Sequence, residues 1–219
     1  MDVFDVMRTQ RSVKRFRSDP VDRADIEAMI TAATWAPNGS NRQAWEFIVV
    51  DDPVTKKALA DVYRDAWNLL YEQRSTRRSF HDPRTAPAKM MSDSQHLCEH
   101  LEQVPVLILV CMDTDRNLVS TDGVMRMYWE EGNYTSTLPG VQNLMIAARA
   151  LGIGTCLTTA LNVFGEKAKD ILGLPDALRT IALIPVGYPE VDFKPVNRIP
   201  AEESTHWNRW GRRSPSGSG

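Results

Sequence analysis

The sequence has no apolar run long enough to span a membrane. Its longest, near Val104 to Met112, is strand-sized and broken by Pro105. It has only three cysteines, Cys98, Cys111 and Cys156, far apart and without a C-x-x-C pair, so a disulfide scaffold is not expected and a reducing, cytoplasmic setting is. No charge sign dominates: the formal net charge is −2, which gives no support to a nucleic-acid or membrane-surface role. The segment Met1 to Gln10 is acidic and amphipathic and does not read as a signal peptide. G-x-G-x-x-G after a strand is missing, which argues against a Rossmann dinucleotide site, and so is G-x-S-x-G, which argues against a hydrolase triad. There are no internal repeats and no long linker.

What is present is an alternation of helical and strand patterns in 219 residues, enough for one large α/β domain or two small ones. Asp2 to Thr9 has helical spacing. Asp22 can cap a second helix with Ile26, Met29, Ile30 and Ala33 on one face, ending near Ala36 because Pro37 follows. Trp45 to Val50 reads as a strand, and Asp52-Pro53 opens a third helix with Leu59, Val62, Tyr63, Ala66 and Leu70 as its apolar face. Arg74 to Ser94 is charged and proline-containing, a mobile segment over a site or a surface excursion. Pro105 to Met112 is a buried strand, Asp113 to Thr137 is mostly polar, and Leu138 to Leu151 is a strong helix ended by Gly152. A helix around Phe164 to Leu172 and a strand over Thr180 to Gly187 complete the pattern. The excursions between strands favour an α+β sandwich over a regular doubly wound sheet.

Four stretches can carry chemistry. Arg11-Ser12-Val13-Lys14-Arg15-Phe16 sets cations and a hydroxyl within a few residues; these suit a phosphate, although a solvated basic surface looks the same. Pro37-Asn38-Gly39-Ser40-Asn41-Arg42-Gln43 offers amides and free backbone N–H groups that can read a uracil-like ring edge, or forms an ordinary helix-to-strand loop. Gly152 to Asn162, including Leu157, Thr158 and Thr159, is small and hydroxyl-rich, so a planar ligand can approach its backbone; a core strand after a helix cap is the alternative. Arg198 sits in a stiff, proline-flanked turn, where it can complete a phosphate clamp or lie on the surface. A competing motif is His96-Leu97-Cys98-Glu99-His100, which matches the zinc-hydrolase pattern H-x-x-E-H but has no evident third ligand.

In this order, the basic segment, A-P-N-G-S-N-R-Q-A-W-E-F-I-V-V, G-I-G-T-C-L-T-T, and P-V-G-Y-P with N-R-I-P, the chain resembles the nitroreductase superfamily, including its iodotyrosine-deiodinase-like branch. The resemblance runs from Asp2 to about Gly211. It implies an α+β sandwich, with a central, mostly antiparallel sheet flanked by helices, in an intertwined homodimer with FMN between the subunits. It implies that residues 1–211 form one FMN-binding domain and that 63–95 form a substrate lid or excursion; the small, polar composition of the end of the sequence reads 212–219 as a flexible tail or expression remnant. Arg11, Ser12 and Lys14 would bind the FMN phosphate and ribityl chain, with Arg15 compensating for departures from the usual R-R-S-x-R, and Arg198 would complete the clamp. Pro37, Asn38, Gly39, Asn41 and Gln43 would line the ribityl and pyrimidine side. Leu157, Thr158 and Thr159 would lie near the flavin N5, the threonines supplied by the partner subunit. Asn68, Tyr71 and Glu72 would belong to the substrate lid.

The implied activity is a ping-pong reduction of small electron-poor acceptors, nitroaromatics or quinones, by NADH or NADPH, with the chemistry carried by FMN and no catalytic side chain or metal required. Ene reduction, dehalogenation or desaturation on the same fold are alternatives. A flavin-binding protein without turnover is a non-enzyme alternative, and a zinc hydrolase through His96 and His100 a remote one.

Overall fold

Two strands apolar on both faces organise the molecule. The computed structural model describes residues 1–76, 88–116 and 122–213. In it β1 (Trp45–Val50), β2 (Val106–Asp113), β3 (Gly154–Thr155) and β4 (Leu178–Gly187) form one antiparallel sheet in the order β1-β2-β4-β3. Because side chains alternate across a strand, β2 feeds two cores. Leu107, Leu109 and Cys111 face one side, against Leu59, Tyr63 and Trp67 of α3 (Pro53–Thr76) and Leu97 and Cys98 of α4 (Ala88–His100). Val106, Ile108, Val110 and Met112 face the other, against Ile26, Met29 and Ala33 of α2 (Arg23–Thr34) and Val141, Leu144 and Ala148 of α5 (Gly123–Ala150). Helices therefore cover both faces of an antiparallel sheet, the α+β sandwich expected from the sequence.

Local signals act as anticipated at several ends. The Asp22 carboxylate accepts the Ala24 N–H at 3.1 Å and caps α2, which stops at Thr34, ahead of Pro37. The Asp52 carboxylate accepts the Thr55 N–H at 2.7 Å at the start of α3. The remaining helices are α1 (Val3–Thr9), α6 (Gly165–Leu172), closed by Gly173 at φ +62°, and the single-turn α7 (Ala201–Ser204).

Two stretches differ from the sequence reading. The polar stretch Asp113 to Thr137 is largely helical, because α5 starts at Gly123 and runs through Pro139. Proline removes one backbone donor, and hydroxyls around it bond back to the preceding turn: Ser136 to the Gly132 carbonyl at 2.9 Å and Thr137 to the Asn133 carbonyl at 3.1 Å. Gly140 then lets α2 cross closely, since a Cβ there would lie 3.1 Å from the Ala33 carbonyl oxygen. The second difference is the charged segment Arg74 to Ser94. Its described parts are helical, α3 to Thr76 and α4 from Ala88. The rest of the expected lid, 77–87, lies outside the described residues, as does most of the tail, 214–219. No helix among the described residues is long and apolar enough to cross a membrane.

Candidate active site

The basic segment is held extended at one end of the sheet. Ser12 bridges Thr155, and the Val13 N–H donates to the Thr155 carbonyl at 2.9 Å. On its other side the Arg17 N–H donates to the Tyr188 carbonyl at 2.8 Å and the Glu190 N–H to the Arg15 carbonyl at 3.2 Å. Val13 is buried, and its methyls press so closely on Gly154 that a Cβ there would lie 2.9 Å from them. Period-2 alternation then turns Ser12 and Lys14 the opposite way from Val13. Ser12 and Lys14 lie beside Cys156, and both oppose the strong upward push that burial gives the Cys156 thiol. Burial likewise raises Cys98 to about 11 and Cys111 to about 12, so none of the three cysteines is a ready thiolate at neutral pH.

The segment after β3 shares this end. Thr158 and Leu183 exchange backbone hydrogen bonds at 3.0 and 2.8 Å, while Leu157 and Thr159 are exposed. The 157–159 segment thus lies beside the basic segment of its own chain, a placement that the expectation of partner-supplied threonines did not include. Arg198 arrives at the same end from the C-terminal segment. The Val196 N–H donates to the Arg8 carbonyl of α1 at 2.9 Å, and α1 leads directly into Arg11. Arg11 and Arg198 are both exposed.

Lys14 and Arg15 also touch α4. The Lys14 ammonium donates to the Ser94 hydroxyl at 2.6 Å. The Arg15 guanidinium pairs with Asp93 at 3.2 Å and lies 3.2 Å from Nδ1 of His96. Arg15, like Lys14, therefore ties the basic segment to α4. The Arg15–Asp93 pair is partly exposed and is worth about 1 kcal/mol at most. Arg15→Gln should speed hydrogen exchange of the α4 amides by about two- to fivefold, measured by mass spectrometry, with other helices unchanged.

His96 and His100 stack with ring centroids 4.1 Å apart, and Nδ1 of His100 donates to the His96 carbonyl at 2.9 Å. Arg15 lies beside them, and among the described residues no third His, Cys, Asp or Glu side chain converges on the pair, so the described part of the H-x-x-E-H motif is a stacked histidine pair next to a guanidinium. Burial first, then the charges of Arg15 and His100, depress the His96 pKa below its ordinary 6.5, against opposing pulls from Glu190 and Glu99. The fold thus favours the neutral form of His96. Below pH 6.5 the unfolded chain takes up this proton first, so the contribution to stability present above that value is lost as pH falls through the lower, folded value. Between pH 7 and 5 the wild type should lose more stability to urea than His96→Gln does.

A cleft of about 460 Å³ opens between the C-terminal half of α3 and α4, lined by Asn68, Tyr71, Met91, Ser92 and Gln95. Its described lining carries amides, hydroxyls and a thioether but no ionised group. Gln95 is fixed: it accepts the Trp67 indole N–H at 2.8 Å and donates to Glu99 at 2.8 Å. Asn68 and Tyr71 of the expected lid line this cleft; Glu72 is exposed on α3 and does not line it.

The loop 37–43 lies elsewhere. Asn38 accepts the Gln43 N–H at 2.9 Å, the Gly39 N–H donates to Ser136 of α5 at 3.0 Å, and Arg116 donates to the Gln43 carbonyl at 3.0 Å. Ser40, Asn41 and Gln43 have φ of 53°, 51° and 51°, left-handed values that are uncommon outside glycine and that concentrate at functional sites. The loop leads into β1 at the end of the sheet where Asp113 pairs with Leu178, whereas Thr155 and Ser12 sit at Val186. Eight positions of β4 separate the two ends, roughly 26 Å of strand. Within one chain the loop and the Ser12 bridge therefore lie toward opposite ends of β4.

The comparisons with known proteins fit this architecture. Residues 7–188 match the model of the Nitroreductase family. The chain belongs to that family. It is 31% identical over 189 residues to iodotyrosine deiodinase from Drosophila melanogaster, an alignment covering 86% of this chain and 62% of that protein, so the chain spans less than two thirds of that relative's length. It is 27% identical over 210 residues to a protein named NADH dehydrogenase from Thermus thermophilus, covering 90% of this chain and 92% of that one. Among solved structures, oxidized iodotyrosine deiodinase bound to FMN and 3-iodo-L-tyrosine superposes with a TM-score of 0.68 at 22% identity, over 91% of this chain and 97% of that one. A BluB-like flavoprotein from Clostridium difficile 630 gives 0.71 at 21% identity, over 95% and 100%. At such identities the likeness establishes the nitroreductase fold.

In this nitroreductase-family chain the site neighbours that the sequence reading left out are Asp93, Ser94, Gln95 and the hydroxyl of Tyr63. Tyr63, Trp67 and Tyr71 recur every four residues on α3, which was a usable signal: each ring is apolar, but each polar tip needs a partner.

Proposed function

We propose that the chain is an FMN-dependent oxidoreductase that works as a homodimer, takes reducing equivalents from NADH or NADPH, and passes them to small electron-poor organic acceptors such as nitroaromatics or quinones. The observation that carries this reading is the end of the sheet where Arg11, Ser12 and Lys14 are strapped beside Thr155–Thr158 and where Arg198 also arrives. Cations with a hydroxyl suit a phosphate monoester. Thr158 is half-buried and Thr159 exposed, so both are accessible to a ligand at this end. The donor set therefore fits FMN. When bound, FMN supplies the electron-transfer chemistry between nicotinamide and acceptor. The protein's part is to hold the phosphate with Arg11, Lys14 and Arg198, and to wall the acceptor with the cleft of Asn68, Tyr71 and Gln95.

The homodimer reading has two supports. The loop 37–43, with its strained and outward-facing amides, can reach a ligand at the basic end only if it comes from a second chain. Large apolar side chains also stand exposed on α1, on the start of α5 and near the C-terminus: Phe4, Met7, Val124, Tyr128, Trp207 and Trp210, with Trp210 88% exposed. A monomer rarely leaves so much apolar surface in water.

A second reading, reductive dehalogenation, is favoured by the identity to the fly deiodinase. The uncharged described lining of the cleft favours neutral acceptors over a zwitterionic amino acid. Purified protein should be yellow, and anaerobic NADH or NADPH should bleach it. Reoxidation by a nitroaromatic or quinone, but not by an iodinated tyrosine, supports the first reading, and the reverse order of acceptors replaces it with the second. Colourless protein that refuses added FMN at micromolar concentration overturns both.

A further inference from the structure

Tyr63 lies 2% exposed on α3, inside the core that covers one face of the sheet, and its phenol oxygen is 2.9 Å from the hydroxyl of Thr158. The backbone of Thr158 is already committed, since its N–H and carbonyl are both bonded to Leu183. The hydroxyl is thus the one polar group through which Thr158 can address a ligand. A hydroxyl has one proton and two lone pairs. A phenol is far more acidic than an aliphatic alcohol, so in this pair Tyr63 is the better donor and Thr158 the acceptor. Tyr63 approaches from the core side, and Thr158 is only half-buried. Its own proton is then left for the open side.

We infer that Tyr63 is a positioning residue: its phenol holds the Thr158 hydroxyl so that the proton of Thr158 points out of the core, as a preset donor to the reducible ring of the bound cofactor. This rests on the FMN reading above. A preset donor toward a position where electron density rises on reduction favours the reduced ring over the oxidised one. The same helix extends the effect toward the cleft. Trp67, one turn beyond Tyr63, donates to Gln95, and Tyr71, one turn further, lines the cleft. The face of α3 that fixes Thr158 is thus also the face that carries a wall of the acceptor site.

The experiment compares the holoprotein with Tyr63→Phe, Thr158→Val and the double variant, reading two equilibrium quantities: affinity for oxidised FMN, by fluorescence quenching, and the midpoint potential of the bound FMN, by anaerobic dye-coupled titration. Together they give the ratio of reduced to oxidised affinity. Tyr63→Phe should leave oxidised affinity within about twofold and lower that ratio about fivefold, the scale of one neutral hydrogen bond. In the double variant the ratio should match that of Thr158→Val alone, because Tyr63 acts through Thr158. Thr158→Ser, which keeps the hydroxyl, should stay near wild type. Tyr63→Leu, which also lacks the phenol oxygen, should repeat the Tyr63→Phe shift and serves if the latter fails to fold. An unchanged ratio in the Tyr63 variants, or effects that add in the double variant, overturns the inference and leaves the FMN reading standing. Wild-type protein that binds no FMN overturns that reading itself, and the inference with it.

Discussion

Arg198→Ala should weaken FMN binding by about ten- to a hundredfold without disturbing the fold. Charge-assisted hydrogen bonds to a phosphate are worth about 1.5–3 kcal/mol each, and that range converts to this loss. The fold should tolerate the change because the Arg198 side chain is exposed and its one described bond, at 2.8 Å, goes to the carbonyl of its own neighbour Asn197. Nothing buried is left unpaired when it is removed. Arg198→Lys should recover part of the affinity, since a lysine restores the charge but not the bidentate fork. Equilibrium titration with FMN at two salt concentrations measures both points. The variant should also show a weaker salt dependence than wild type, as one cation fewer is screened. Retention of wild-type affinity would remove Arg198 from the clamp and leave Arg11 and Lys14 to hold the phosphate.

The strands, the helix cap at Asp22, the helix start at Asp52-Pro53, and the stops before Pro37 and at Gly152 were legible because each rests on local chemistry. Val106–Met112 is continuously apolar, and only a strand buried on two faces accommodates that in seven residues. The N-terminal half of α5 was not legible for a reason visible in the structure. Val124, Met127 and Tyr128 stand exposed instead of forming a stripe toward the core, and Pro139 sits where a helix would be expected to break. In a dimeric reading those side chains answer to a second chain, and a pattern that serves two partners loses the 3.6-residue period.

The candidate site was legible in its pieces but not in their arrangement. Arg11, Ser12, Lys14, Leu157, Thr158 and Arg198 were all singled out as residues, yet spacing alone does not say that Ser12 bridges Thr155 while the loop 37–43 ends up at the far end of the sheet. Contacts between elements distant in sequence carry no local signature. The tether from Arg15 to Asp93 and His96 spans about eighty positions, and Tyr63 reaches Thr158 across ninety-five. Arg15 is the instructive case. It and Lys14 both reach α4, at Asp93 and Ser94, a contact that the spacing of cations within their own segment does not announce.

Co-assembly of two defective variants should restore a working site, and this is the largest effect expected of the dimer. One variant carries Arg11→Ala and Arg198→Ala, removing the clamp. The other carries Asn41→Val and Gln43→Val, which force β-branched residues into left-handed backbone at two points of the 37–43 loop. Each homodimer should bind FMN at least a hundredfold more weakly than wild type, the first for want of charge and the second for want of loop geometry. In a heterodimer purified through two different tags, each site draws its clamp from one chain and its loop from the other. One site then combines both defects, and the second combines an intact clamp with an intact loop. Such a heterodimer should bind one FMN with near wild-type affinity. If clamp and loop instead served a ligand within a single chain, every site would carry one defect, and mixing would recover nothing. The separation of some eight residues along β4 makes the first outcome the physical expectation, because within one chain the loop leads into the end of the sheet far from the Ser12 bridge.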